Sequence, residues 1–277
     1  MIISQKHRLI FSHNPKVAGS AVRQVMTHLH DHHIEFWHQA WYAEFGRVMD
    51  MAHVPIHDLR QVLNLNEFAV LVLVRDPYTR FMSSVAEHCR QHDINLHGDP
   101  EILNKWIHSI MDEANFRFNW KYIHFCPQHY FALPATELKV IKFDLPRGGW
   151  LEVQKWMAGR FGIEIGDLPV VRSSVGYQNK FEVEHLDAKS IVLINKIYHR
   201  DFEFFGYHKR KTPSAVNLQA SHYDRINSIH NPNLELMPTS WFNEGEKKAY
   251  YKKWNVVCDQ SQDSVPSTSS SEPQTAP

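Results

Sequence analysis

The chain has 277 residues, enough for one large α/β domain or two small ones. Its 30 basic residues balance 30 acidic ones, which argues against a general nucleic-acid binder, since such proteins carry a basic excess. The three cysteines, Cys89, Cys126 and Cys258, make neither a C-x-x-C pair nor an even framework, which argues against a disulfide scaffold or a zinc ribbon and fits a reducing compartment.

Residues 9–26 read LIFSHNPKVAGSAVRQVM. Leu9, Ile10 and Phe11 are β-like, the small-residue segment Asn14-Pro15-Lys16-Val17-Ala18-Gly19-Ser20 is a turn, and Ala21 to Met26 open a helix. Strand, tight loop and helix make a cradle for an anion, because N–H groups at a helix start point at it and the helix dipole favours negative charge. Lys16 adds a point charge, Ser20 a hydroxyl donor, and Gly19 allows close backbone approach. This is not the G-x-x-x-x-G-K-[ST] loop: the lysine precedes the glycine, and Gly-Lys-Ser/Thr occurs nowhere. Taken alone, the segment suits either an anion site or an ordinary β–α turn.

Residues 27–50 hold His28, His30, His32, His33 and His38, but H-x-H-x-H-H matches no zinc spacing, and a polar helix end and loop is expected. Residues 35–42, EFWHQAWY, read as a strand or short wall, where Trp37 and Trp41 suit core packing or stacking on a sugar ring. His53 and His57 follow, separated by the helix-breaking Pro55. Residues 68–74, FAVLVLV, form the continuous apolar run of a buried parallel strand. That strand runs into RDPYTRFMSS, where Asp76 suits a helix N-cap, Pro77 suits the first turn, and Ser83 lies two turns in. Arg75 falls at the carboxyl end of a core strand, where ligands bind in open α/β sheets. A P-loop NTPase would carry an acidic magnesium ligand at this strand end; arginine points instead to direct phosphate contact without a metal.

The remaining elements are a helix over 100–113 with an apolar stripe of Ile102, Leu103, Trp106, Ile107 and Ile110, a strand over 138–143, a helix over 150–161 opened by Gly148-Gly149, and a helix over 187–205. Lys209-Arg210-Lys211 reads as solvated surface, residues 213–238 as loop, and residues 241–254 as a helix. Residues 259–277 lack the apolar side chains needed to offset ordering entropy and should be disordered. The expected layout is a domain over 1–210, a partly helical extension over 211–258, and a tail over 259–277.

PKVAGSA and VRDPYTRFMSS resemble the two nucleotide-binding signatures of sulfotransferases that use 3′-phosphoadenosine 5′-phosphosulfate (PAPS), most closely the carbohydrate (Golgi-type) branch. The likeness spans about residues 8–208. By position it implies that Lys16, Gly19, Ser20 and Ala21 contact the 5′-phosphosulfate, while Arg75 and Ser83 grip the 3′-phosphate. Relatives carry a histidine between the signatures as general base. His53 fits best, with Ala52 where relatives have glycine, and His57 and His13 are the next candidates. Relatives also have a "PQ" segment near the acceptor, here Pro127-Gln128, which would bring His124 and His129 towards it. Arg172 to Gly176 would be either a loop over the nucleotide or an exposed connector. IYHRDFEFFGY resembles the family's closing segment, with Asp201 and Tyr207 in packing and capping.

The fold so implied is α/β, a P-loop-kinase-like three-layer domain with a central, mostly parallel sheet flanked by helices. The implied reaction moves a sulfuryl group from PAPS to a hydroxyl of a carbohydrate or other small acceptor. His53 takes the proton, Lys16 steadies the leaving phosphate, and no metal is required. Golgi relatives have a signal anchor; no apolar run here reaches the length of a bilayer span, so a cytoplasmic protein is expected. Two alternatives stay open: a P-loop-type nucleotide kinase or NTPase, and a catalytically degenerate member that only binds nucleotide or glycan.

Overall fold

A computed structural model describes residues 1–34, 39–42, 47–144, 149–169 and 181–212. Trp37, the Arg172–Gly176 loop, most of the extension and the tail lie outside the described residues. In chain order the elements are β1 (Ile2–Ser4), β2 (Leu9–Ser12), α1 (Gly19–Met26), β3 (Gln39–Tyr42), β4 (Arg47–Asp50), α2 (Ile56–Leu59), β5 (Ala69–Val74), α3 (Pro77–Gln91), α4 (Pro100–Ile110), α5 (Glu113–Phe118), β6 (Glu137–Lys142), α6 (Trp150–Phe161), α7 (Ala188–Ile197) and α8 (His199–Phe205).

The main sheet has the order β1-β2-β5-β6. β5 pairs in parallel with β2 on one side and β6 on the other, with Ser12 opposite Val72 and Val74 opposite Lys142. β1 adds an antiparallel edge, Ile3 opposite Ile10, so the sheet is mixed. All six residues of β5 are buried, as its unbroken apolar sequence requires. Side chains alternate across the sheet. Leu71 and Leu73 pack with Phe11, Val22 and Met26 of α1, and Val153 and Met157 of α6 on one face. Val72 and Val74 pack on the other against Ile123, Cys126, Phe131 and Phe205. Each such burial stabilises by about 1.5–3 kcal/mol, so β5 anchors both layers. A further cluster joins Tyr78, Phe81 and Val85 of α3 to Leu103 and Ile107 of α4 and Leu193 and Ile194 of α7.

Several expectations change in detail. The helix over 100–113 stops at Ile110, because Asp112 caps a new helix by accepting from Ala114 N at 2.9 Å. Ile102 faces solvent at 38% exposure and leaves the apolar stripe. The helix over 187–205 divides at Tyr198, a buried residue whose hydroxyl donates to the Phe125 carbonyl at 2.5 Å. Arg47–Asp50 is a strand, paired antiparallel with β3. His30 and His32 serve the backbone, accepting from Ile3 N and Ile34 N, each at 3.1 Å. Cys89 and Cys126 are buried free thiols. Among the described residues no helix is long and apolar enough to cross a membrane.

Candidate functional site

The parallel register of β2 and β5 brings their carboxyl ends to one edge of the sheet. Gln128 ties these ends together. Its fully buried side chain accepts from Asn14 Nδ2 and Arg75 N, each at 3.0 Å, and donates to the Arg75 carbonyl at 2.8 Å. Asn14 also donates to the Leu73 carbonyl at 2.9 Å. Asp201, fully buried, accepts from Gln128 N at 2.7 Å, His129 N at 2.9 Å and His129 Nδ1 at 2.8 Å. His129 is therefore fixed in a cap, not presented to an acceptor.

The loop after β2 is strained. Lys16 and Ala18 have φ of 65° and 62°, a left-handed conformation that costs a non-glycine residue roughly 1–2 kcal/mol. Gly19 has a steric reason: a Cβ there would lie 1.8 Å from Cδ2 of His13. No side chain caps the start of α1, whereas aspartates cap α3, α4, α5 and α7. Ser20 is half-buried and Ala21 buried in the first turn. Lys16 Nζ lies 3.2 Å from Glu87 Oε2, and the Glu87 side chain is only 2% exposed. Burial raises the Glu87 carboxyl, but the Arg90 hydrogen bond and the Lys16 charge outweigh it and hold the group at about 2. Glu87 stands on α3 one turn after the half-buried Ser83 and three residues past the end of the second signature, so the i, i+4 spacing from Ser83 is its one sequence signal.

Arg75 leaves the end of β5 partly exposed, with Nε 3.8 Å from Asp144 Oδ1. Asp144 also accepts from Asp76 N and the Tyr207 hydroxyl, each at 2.8 Å.

His53 closes a short turn after β4, shaped by Asp50 Oδ1 accepting from Ala52 N at 3.0 Å. Its Nδ1 lies 2.9 Å from the His13 carbonyl. A carbonyl only accepts, so Nδ1 carries the proton and Nε2 keeps a lone pair. Burial lowers the His53 pKa, with Asp50 opposing, and burial together with the neighbouring His53 takes His13 well below its ordinary value. The His13 and His53 ring centroids are 4.3 Å apart, and His124 meets His53 edge-on at 5.1 Å. Asp50, His53 and His124 each offer a ligand atom within 4.8 Å of the others. The His124 carbonyl is held by Arg80 Nη1 at 2.9 Å and Ser84 Oγ at 2.7 Å, and Arg80 Nη2 donates to the Cys126 carbonyl. Arg80 itself is 1% exposed.

A narrow cleft with room for about one water opens beside His53, lined among others by Arg47, Asp50, Arg117, Phe118 and Trp120. Both arginines converge on buried Asp58, Arg47 Nη2 at 2.6 Å and Arg117 Nη1 at 2.7 Å. Their charges and hydrogen bonds outweigh burial and hold the Asp58 carboxyl far below the usual carboxylate range. His57 accepts from Arg117 Nη2 at 3.2 Å and belongs to this cluster. Of the three candidate histidines, His53 is thus the one set between the β2 loop, through His13, and the cleft. Nothing in the sequence signals Arg47, Arg117 or Asp58, which meet only through tertiary packing.

A family model described as the Sulfotransferase family matches residues 1–145, more than half of the 277. That span contains the β2 loop, His53, Arg75, Ser83, Glu87 and His124, while the 198–207 segment lies outside it. No curated protein and no solved structure matches the chain.

Proposed function

The chain belongs to the sulfotransferase family, and on that premise we propose that it transfers a sulfuryl group from PAPS to an acceptor hydroxyl held in the cleft beside His53. His53 Nε2 takes the hydroxyl proton as the oxygen bonds to sulfur. The bond from sulfur to the 5′-phosphate oxygen breaks, and its electron pair stays on that oxygen. Lys16 Nζ and the N–H groups of Gly19 and Ser20 stabilise the charge that collects there, in the manner of preorganised donors, while Ala21 N is bonded to the Ala18 carbonyl at 2.9 Å and lines the turn. The strained loop and uncapped helix start support this role. Arg75 and Ser83 hold the 3′-phosphate and set the donor's register. The donor domain of this reading is residues 1–210, a P-loop-like arrangement in which an arginine stands where a magnesium ligand would. The likeness of PKVAGSA and VRDPYTRFMSS to the carbohydrate branch favours a carbohydrate acceptor.

The observation that carries the proposal is the lone pair on His53 Nε2, held between an anion-type loop and an open cleft. Imidazole acts as a base near neutral pH, which a hydroxyl nucleophile needs. The test has two arms. Calorimetry should show adenosine 3′,5′-bisphosphate binding without Mg²⁺ and far more tightly than ATP with Mg²⁺. Labelled PAPS should yield sulfated product across a panel of carbohydrate and phenolic hydroxyls. Preference for ATP with Mg²⁺ would return the chain to the kinase reading. Tight bisphosphate binding with no transfer to any acceptor, cell extracts included, would make it a nucleotide binder.

A further inference from the structure

We propose that Asp50, His53 and His124 form a Zn²⁺ site, and that zinc bound there silences the enzyme. The donor set is one carboxylate and two imidazoles, a combination that suits zinc. The three ligand atoms lie within 4.8 Å of one another. Tetrahedral zinc with bonds of about 2.0–2.2 Å wants its donors about 3.4 Å apart, so the set must close by up to about 1.4 Å on binding.

Two features orient the ligands beforehand. His53 donates Nδ1–H to the His13 carbonyl, as metal-bound histidines commonly donate their second nitrogen to an oxygen acceptor. His124 is anchored through its carbonyl, by Arg80 and Ser84, which leaves its ring to ligate. The cleft lies against Asp50 and His53 and gives a fourth, solvent ligand room. Three protein ligands with one open position is the plan of an accessible zinc site.

Zinc on His53 Nε2 would occupy the lone pair that the acceptor proton needs. Metal and acceptor therefore exclude each other. This consequence rests on His53 being the base; the binding itself does not.

The experiment titrates Zn²⁺ into chelator-treated, full-length protein by calorimetry, with Co²⁺ as a visible-absorption probe of ligation. One Zn²⁺ per chain at micromolar affinity or tighter is expected, weakened at least tenfold in both His124→Ala and Asp50→Asn. The asparagine keeps an oxygen for Ala52 N, so the turn carrying His53 survives and a fold-related loss in His124→Ala is recognisable. His92→Ala, at an exposed histidine, should bind as the parent does. Absence of saturable binding, or unchanged affinity in both variants, would overturn the site. Sulfate transfer, assayed with and without Zn²⁺, should be inhibited competitively with acceptor. Stoichiometric binding without inhibition would remove the silencing claim. Full activity of metal-free His53→Ala would remove the base assignment and leave the zinc titration standing.

Discussion

The two strand ends that flank the site are built in opposite ways. At β2 the chain enters its helix through two left-handed residues, with no side-chain cap and with Gly19 pressed under the His13 ring. At β5 it enters through Asp76, whose carboxylate accepts from Thr79 N at 2.9 Å, and Gln128 bonds both the N–H and the carbonyl of Arg75. The second end uses its polar backbone internally and offers outward only a side chain. The counter-charges differ in the same sense. Lys16 faces a carboxylate 2% exposed at 3.2 Å, Arg75 one 36% exposed at 3.8 Å. Charge pairs away from water interact more strongly. In the proposed reaction this difference would put charge stabilisation at β2 and donor grip at β5.

Kinetics with PAPS can break this division. Lys16→Ala and His53→Ala should each lower kcat by about 10²–10³-fold, the usual loss for a charge-stabilising donor or a general base. Near-normal turnover in His53→Ala would move the base to His13 or His57. Gly19→Ala drives a Cβ into the His13 ring, and overpacking of this kind costs about 1–3 kcal/mol. It should weaken adenosine 3′,5′-bisphosphate by about tenfold or more in calorimetry and lower the melting temperature. Arg75→Ala should raise KM for PAPS by about tenfold with kcat kept, which is the mark of lost uniform binding; an equal fall in kcat would erase the contrast between the ends.

The smallest effect concerns Glu87, which faces Lys16, Arg90 and Gln91. Its carboxyl titrates lower in the folded chain than in the unfolded one. The stability it contributes is therefore complete above the ordinary carboxylate value and is lost as pH falls towards about 2. Glu87→Gln should lose about 1–2 kcal/mol at neutral pH. Melting curves between pH 7 and 3 should converge with those of the parent as acid is added; parallel curves would show that the pair adds no stability.

What the sequence revealed follows from what is local. The apolar run of β5, the Asp76-Pro77 helix start and the left-handed Gly149 before α6 carry their reasons in neighbouring residues. β1 is three residues long and makes sense only as an edge on β2. The break before α5 was hidden because Asp112 interrupts an apolar periodicity that carries on past it. In the site, Lys16 and Gly19 stood out by motif, yet Glu87 pairs with Lys16 from 71 positions away. The meeting of Asp50, His53 and His124 depends on how Arg80 sets the 124–126 segment, and no spacing rule reports that.

Arg80 carries a consequence for how this enzyme can diversify. Its guanidinium fork reaches two carbonyls at once from inside the motif that also supplies Arg75 and Ser83. In the proposed reading, donor recognition and the wall behind His53 are thus riveted to a single helix. New acceptor preferences should arise by exchanging the side chains at the cleft mouth, while any drift of that helix would unsettle both substrates together.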